Sequence, residues 1–167
     1  QLDAHDRRIL WGWIQERRPE KDYSAAGWAG LMSLPRVLTL DAHNDLQSEI
    51  APGVEQLREA EQRLRLPSKD AGHQLSRLQI QDACGEIAVT FRRGSAPLAL
   101  SLVSPGAAQP WLTCRWDPAH PETIRIEDQP VPLGSGPQPE VELRFYIDGS
   151  VIECFANHHG AFTKRFY

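Results

Sequence analysis

The dipeptide Glu153-Cys154 is the first candidate for chemistry, because a positioned glutamate can serve as a general acid or base. It lies in the run VIECFAN, directly after the turn dipeptide Asp148-Gly149. Glu153 alternates there with Ile152 and Cys154, a pattern typical of a half-buried strand on which the glutamate faces solvent or pairs with an arginine of a neighbouring strand. We therefore predict a structural role for Glu153.

The other reactive side chains lack the spacing that metal or nucleophile chemistry needs. His158 and His159 are adjacent, so on an extended chain they point apart, and no third ligand follows at a suitable spacing. The three cysteines form no CxxC pair and are expected to be small buried hydrophobes: Cys84, Cys114 and Cys154. No serine lies in a GxSxG context. The sequence predicts a polar turn at the histidines, and neither a metal nor a cofactor.

Trp11 and Trp13 share one face of a predicted strand that runs from Ile9 to Ile14. Flat aromatic rings suit the apolar side of a sugar, so the pair is a candidate sugar platform. The alternative is core packing, because the strand is apolar on both faces and such strands are covered from both sides. Both interpretations stay open at this point.

The elements that must position these residues are short strands near the N-terminus. Arg17–Ala26 is predicted to be a connection, and Gly27–Ser33 and Arg36–Leu40 are predicted strands that Pro35 interrupts. A turn is expected at Asp41–Asp45. A two-stranded unit of this kind is marginal in water, which indicates that these strands need further β-structure.

One helix is expected, from Val54 onward, where apolar residues recur at helical spacing after the breaker Pro52-Gly53. Beyond Pro67 the pattern changes to short alternating runs, which predict seven or eight strands and a β-sandwich. The runs are Leu75–Gln81, Glu86–Phe91, Leu98–Val103, Trp111–Trp116, Thr123–Ile126, Val141–Ile147, Val151–Ala156 and Ala161–Phe166. Asp148-Gly149 predicts a two-residue hairpin, Asn157–Gly160 a turn and Pro130–Pro139 a loop.

Composition narrows the classes of partner. The formal net charge is −4 and the lysines and arginines form no block, so nucleic acid and anionic membranes are not expected as partners. The apolar runs are far shorter than the roughly 20 residues of a membrane-spanning helix. A neutral ligand fits this charge better. The sequence leaves the cellular compartment open, with an extracellular or periplasmic location favoured over a cytoplasmic one.

Four stretches of the chain resemble glycoside hydrolase family 32, the invertases, levanases, inulinases and other β-fructofuranosidases. They are RRILWGWIQE, GWAGLMSLPRVLTL, LRFYIDGSVIECFAN and the terminal TKRFY. The second is the most specific, because its spacing of Trp, Gly and Pro has no simple compositional origin. The resemblance implies an all-β architecture in which a five-bladed β-propeller is followed by a β-sandwich.

This resemblance implies a division of the chain into three parts. Residues 1–42 would be the last strands of an incomplete propeller, 43–69 a linker with a short helix, and 70–167 the sandwich. Catalysis in the family is retaining, with a nucleophile and an acid/base carboxyl about 5 Å apart. The chain contains no WMNDPNG-like and no RDP motif, so we expect it to be the C-terminal part of an enzyme and inactive by itself.

The resemblance also places Trp13 and Glu16 at the rim of the substrate pocket, and these are the two predicted substrate-binding residues. The substrate would be sucrose or a fructan, bound mainly by the missing propeller, and the sandwich could form a homodimer. Two alternatives are a carbohydrate-binding sandwich without catalysis and an interaction domain whose free strand edges pair with another chain. The first alternative requires exposed aromatics, with Trp111 and Trp116 as the candidates.

Overall fold

The computed structural model describes residues 1–66, 71–75, 78, 80–104, 106, 108–136 and 138–167. Strands dominate this part of the chain, and they form two four-stranded sheets, one three-stranded sheet and one two-stranded sheet, all antiparallel. The predicted all-β class is confirmed. Among the described residues, no helix is long and apolar enough to cross a membrane.

The N-terminal segment contains five short strands: β1 Arg8–Leu10, β2 Trp13–Ile14, β3 Leu31–Met32, β4 Arg36–Leu40 and β5 Leu46–Ile50. Strand β4 lies between β1 and β5, while β2 pairs only with β3. The strand predicted from Ile9 to Ile14 is therefore interrupted at Trp11-Gly12. The N–H of Gly12 donates to the Ser33 hydroxyl, 2.8 Å away, at this interruption.

The predicted turn at Asp41–Asp45 is confirmed and joins β4 to β5. The Asp41 carboxylate accepts the backbone N–H groups of His43 and Asp45, at 2.8 and 2.9 Å. Asn44 takes a positive φ of 64°, which asparagine tolerates better than most residues. Strand β5 was not predicted, because its sequence LQSEI carries only a weak alternation of apolar residues.

Two α-helices were not predicted, and the predicted helix from Val54, expected to have one or three turns, has a single turn. An α-helix, α1, covers Glu20–Ala26, where a connection was expected, and ends at Gly27 with a φ of 75°. From Val54 only a 3-10 helix forms, ending at Leu57, and Arg58 is extended. Leu57 is 78% exposed, so the expected apolar stripe has no surface to pack on, and short helices depend on such packing. A second α-helix, α2, covers Ala71–Leu75, so Leu75 does not begin the predicted strand Leu75–Gln81. Three other residues of that predicted strand lie outside the described residues: Ser76, Arg77 and Gln79.

The remaining eight strands form the two four-stranded sheets. Their bounds are β6 Cys84–Arg92, β7 Leu98–Leu102, β8 Leu112–Trp116, β9 Thr123–Ile126, β10 Gln129–Pro132, β11 Glu140–Asp148, β12 Val151–Ala156 and β13 Gly160–Arg165. The strand orders are β13-β12-β11-β6 and β10-β9-β8-β7. Strand β10 lies partly within the predicted loop Pro130–Pro139. Its two prolines are accommodated because β10 is an edge strand that pairs only with β9.

One apolar core joins these two sheets. Alternate residues of β11 are buried and contribute Val141, Leu143, Phe145 and Ile147 to the same cluster as buried residues of β8, β9, β10 and β12. Fully burying a side chain such as Phe145 contributes about 1.5–3 kcal/mol. Cys114 and Cys154 lie in this core as predicted, whereas Cys84 is exposed, contrary to prediction.

Two tight turns connect the consecutive antiparallel strands β11, β12 and β13. Asp148 pairs with Val151, so the loop residues are Gly149 and Ser150, one position later than predicted. Gly149 has a positive φ of 55°. The predicted turn at Asn157–Gly160 is confirmed, because Ala156 pairs with Gly160 across it. This turn contacts the N-terminal segment, since the N–H of Ser48 in β5 donates to the carbonyl of His158 at 2.6 Å.

Candidate functional site

Trp13 presents an open aromatic face on the short β2–β3 pair. Its side chain is 62% exposed, and it lies opposite Met32, which is 52% exposed. The ring packs on Gly30, where an added Cβ would lie 2.4 Å from the Trp13 ring, and Gly30 has a φ of 66°. Both the backbone conformation and the space therefore require glycine there. The ring is thus held from one side and open on the other.

Glu16 lies at the centre of a hydrogen-bonded cluster. Its carboxylate accepts the backbone N–H groups of Arg17 and Arg18 at 2.8 and 2.9 Å, the Arg18 Nη2 group at 2.8 Å and the Tyr167 hydroxyl. The hydrogen bond from the Arg18 guanidinium is the largest cause that lowers the pKa of Glu16 well below its usual range. The Glu16 carboxylate is therefore ionised and already engaged by donors of this chain.

Two arginines and two aromatic rings complete this arrangement, which we call the Glu16 cluster: Glu16, Arg18, Trp28, Arg165 and Tyr167. The Arg18 guanidinium lies 4.3 Å from the centre of the Trp28 ring. Arg165 is 1% exposed and lies 3.7 Å from a Glu16 oxygen, with its guanidinium 5.4 and 5.1 Å from the Trp28 and Tyr167 rings. The cluster joins the N-terminal segment to β13 through a buried charge pair.

The sequence interpretation had assigned no role to Arg165 or Tyr167. Both lie in the TKRFY motif, so the signal was present, but their partner Glu16 is about 150 residues away in the chain. The structure therefore brings one predicted residue, Glu16, into a five-residue cluster. Trp13 lies close by in sequence, on β2, but keeps its exposed ring outside that cluster's hydrogen bonds.

Exposed apolar side chains are concentrated in the N-terminal segment. Between residues 10 and 32 they are Leu10, Trp11, Trp13, Trp28 and Met32, each 42 to 62% exposed, and we call them the tryptophan surface. These strands were expected to be covered on both faces. Within the described part of this chain they are not, since each of these five side chains is at least 42% exposed.

Glu153 is a structural link, as the sequence predicted, but it is buried and not solvent-facing. It is 2% exposed and accepts the Leu34 N–H at 2.6 Å and the Arg36 Nη2 group at 2.5 Å. Arg36 lies on β4 of the three-stranded sheet, and its guanidinium also lies 4.9 Å from the centre of the Phe155 ring. Glu153 therefore ties β12 to the N-terminal segment.

The two aromatic candidates of the carbohydrate-binding alternative are turned inward. Trp116 is 2% exposed and meets Phe91 edge to face, and Trp111 is stacked on Phe166 with ring centres 4.8 Å apart. Neither offers the open flat face that a sugar platform needs. The aromatic residues that do so, in the described structure, belong to the tryptophan surface.

Comparisons with known proteins find similarity in the N-terminal segment and in the fold. The model of the glycosyl hydrolases family 32 N-terminal domain matches residues 1–49. This range holds β1 to β4 and nearly all of β5. An insoluble β-fructofuranosidase isoenzyme of Arabidopsis thaliana is 55% identical over 38 residues, which are 23% of this chain and 7% of that protein. A second Arabidopsis isoenzyme is 29% identical over 113 residues, which are 67% of this chain and 19% of that protein.

Fructan 1-exohydrolase IIa from Cichorium intybus contains a part with a similar fold. Its crystal structure matches with a TM-score of 0.71 at 22% identity, covering 99% of this chain and 41% of the larger protein. The fold and the N-terminal motifs therefore resemble those of family 32 proteins. The resemblance to glycoside hydrolase family 32 is confirmed, and the chain is a relative of its β-fructofuranosidases that spans less than half the length of the proteins it matches.

Proposed function

We propose that this chain works as part of a glycoside hydrolase that cleaves β-fructofuranosides, with sucrose or a fructan as substrate. In this proposal residues 1–42 are closing strands of a five-bladed propeller, 43–69 are a linker, and 70–167 form a sandwich that braces the propeller. The tryptophan surface is the observation that carries the proposal. Neighbouring propeller strands would cover its other members, as propeller blades cover one another, and would leave the Trp13 ring at the rim of the pocket.

The catalytic carboxylates belong to the propeller part of the enzyme. A retaining mechanism needs one ionised carboxylate to attack the sugar and one protonated carboxyl to release the leaving group, about 5 Å apart. Glu16 and Glu153 do not fit these roles, because their oxygens are engaged by arginines and backbone N–H groups. The chain therefore contributes positioning and support.

Trp13 and Glu16 have different roles at the pocket rim in this proposal. The open ring of Trp13 would lie against the apolar face of a sugar unit. Glu16 would act as a positioning residue, because it fixes Arg18 and, through Arg18, the Trp28 ring. A homodimer through the sandwich stays a prediction, which sedimentation analysis of the purified protein would check.

Sucrose and inulin hydrolysis test the proposal. The 167-residue chain alone should release no fructose, whereas the product of the natural reading frame that contains these residues should release it with the β-anomer first. In that enzyme Trp13→Ala should lower kcat/KM about tenfold, and Leu57→Ala, which alters an exposed apolar residue outside the tryptophan surface, should not. Hydrolysis by the 167-residue chain itself would contradict the proposal.

A further inference from the structure

Two turns that are distant in sequence bring three metal-ligating side chains together. Asp41 and Asp45 belong to the β4–β5 turn, and His159 belongs to the β12–β13 turn. One potential ligand atom from each lies within 4.8 Å of the other two. The histidine pair was not expected to bind a metal because no third ligand follows nearby in sequence. The fold supplies two carboxylates from the other end of the chain.

The two carboxylates are held in fixed orientations by one oxygen each. Asp41 Oδ1 accepts the N–H groups of His43 and Asp45, and Asp45 Oδ2 accepts the N–H and hydroxyl of Ser135. Within the described residues the second oxygen of each carboxylate accepts no hydrogen bond.

His159 is buried beside these carboxylates without a hydrogen bond. Its side chain is 5% exposed, and its Nε2 atom lies 3.7 Å from Asp41 Oδ2, too far for a hydrogen bond. Its Nδ1 atom is buried and has no partner among the described residues. Gly134 fixes the ring, because an added Cβ there would lie 2.4 Å from an imidazole carbon. Buried polar side chains nearly always have a partner, and a cation bound to either ring nitrogen would give this imidazole one.

We propose that Asp41, Asp45 and His159 bind a divalent transition cation of the zinc class, with water completing the coordination. One imidazole nitrogen and two carboxylate oxygens suit Zn²⁺ better than Mg²⁺ or Ca²⁺, which prefer oxygen ligands only. Ligand atoms about 2.0–2.2 Å from a zinc ion lie roughly 3–4 Å from each other, and the 3.7 Å separation of His159 Nε2 and Asp41 Oδ2 falls in this range.

The cation would join the three-stranded sheet to the β12–β13 turn. These two elements are already joined by the hydrogen bond from the Ser48 N–H to the His158 carbonyl, and the cation would add to this link. The proposed role is therefore to stabilise the junction between the N-terminal segment and the sheet of β11, β12 and β13. This role is independent of the sugar chemistry, so it can fail while the proposed function holds.

Zinc titration of the full chain, after removal of metals with a chelator, tests the proposal. Competition with a chromophoric chelator should show one Zn²⁺ per chain, and zinc should raise the melting temperature while Mg²⁺ does not. Asp45→Asn and His159→Asn should each weaken zinc binding by at least about tenfold. His158→Asn is the matched control, because that imidazole is 42% exposed and pairs with Glu49 at 3.3 Å; it should bind zinc like the unaltered chain.

A second measurement does not depend on the variants folding. Zinc added to the isotopically labelled chain should shift the imidazole resonances of His159 and leave those of His158 in place. The absence of stoichiometric zinc binding would overturn the proposal. Equal zinc affinities of the His159→Asn variant and the unaltered chain would also overturn it. A melting temperature that rises at acidic pH and does not change with zinc would overturn it as well, and would indicate a simple ion pair between His159 and Asp41.

Discussion

Replacing Glu153 with glutamine should destabilise the chain by about 2–3 kcal/mol, because one partner of a buried ion pair is lost. Removing one such partner costs about 3–5 kcal/mol when the remaining charge is fully buried. Arg36 is 16% exposed, and the glutamine amide oxygen can still accept the Leu34 N–H, so the expected cost lies at or just below the lower limit of this range. The free energy of unfolding, measured by urea denaturation with circular dichroism, gives the value directly.

The matched control is Glu140→Gln, which breaks an exposed ion pair with Arg92 at 3.4 Å. Exposed pairs of this kind contribute up to about 1 kcal/mol and often less, so the control should change little. A double-mutant cycle with Arg36→Gln should give a coupling energy with Glu153→Gln of about 1–3 kcal/mol. Equal stabilities of Glu153→Gln and Glu140→Gln, or strictly additive effects of Arg36→Gln and Glu153→Gln, would refute this reasoning.

Two further predictions concern pH and packing. The Arg18 guanidinium lowers the pKa of Glu16. The ionised Glu16 carboxylate therefore stabilises the fold near neutral pH, and this stabilisation is lost as the pH falls below the usual range of glutamate pKa values. The difference in the urea midpoint of unfolding between the unaltered chain and Glu16→Gln should thus become smaller at acidic pH. The control Glu59→Gln, at an exposed position, should have the same midpoint as the unaltered chain. A difference for Glu16→Gln that does not change with pH would contradict this prediction. Gly160→Ala should cost about 1–3 kcal/mol in thermal unfolding, since its Cβ would lie 2.2 Å from Val131. The control is Gly94→Ala, whose Cβ would meet no described residue within 4 Å, and equal melting temperatures of the two variants would contradict the prediction.

Local patterns predicted the strands that bury one face in the core. The runs around β11 and β12 alternate clearly, and their turns carry Gly149 and Asn157, so these elements were confirmed with a shift of at most one or two residues. Strand β5 and helix α1 were missed, because their short sequences are mostly polar and acquire their structure from pairing or from the end at Gly27.

The candidate site was harder to predict because it depends on contacts between distant residues. Glu16 was identified through the motif that contains it, but its partners Arg165 and Tyr167 are joined to it only by the fold. The same is true of Asp41 and His159. No spacing rule in the sequence places such residues together, whereas helix and hairpin signals act within a few residues.

The link between Glu153 and the N-terminal segment has a consequence for the order of events during synthesis. Its hydrogen bonds connect residues 119 and 117 positions apart, and the bond from Tyr167 to Glu16 spans 151 positions. Contacts of such long range form late in folding. On the ribosome the N-terminal strands must therefore wait for these partners until β12 and β13 have emerged, and a cellular chaperone that shields apolar chain would meet them during this interval.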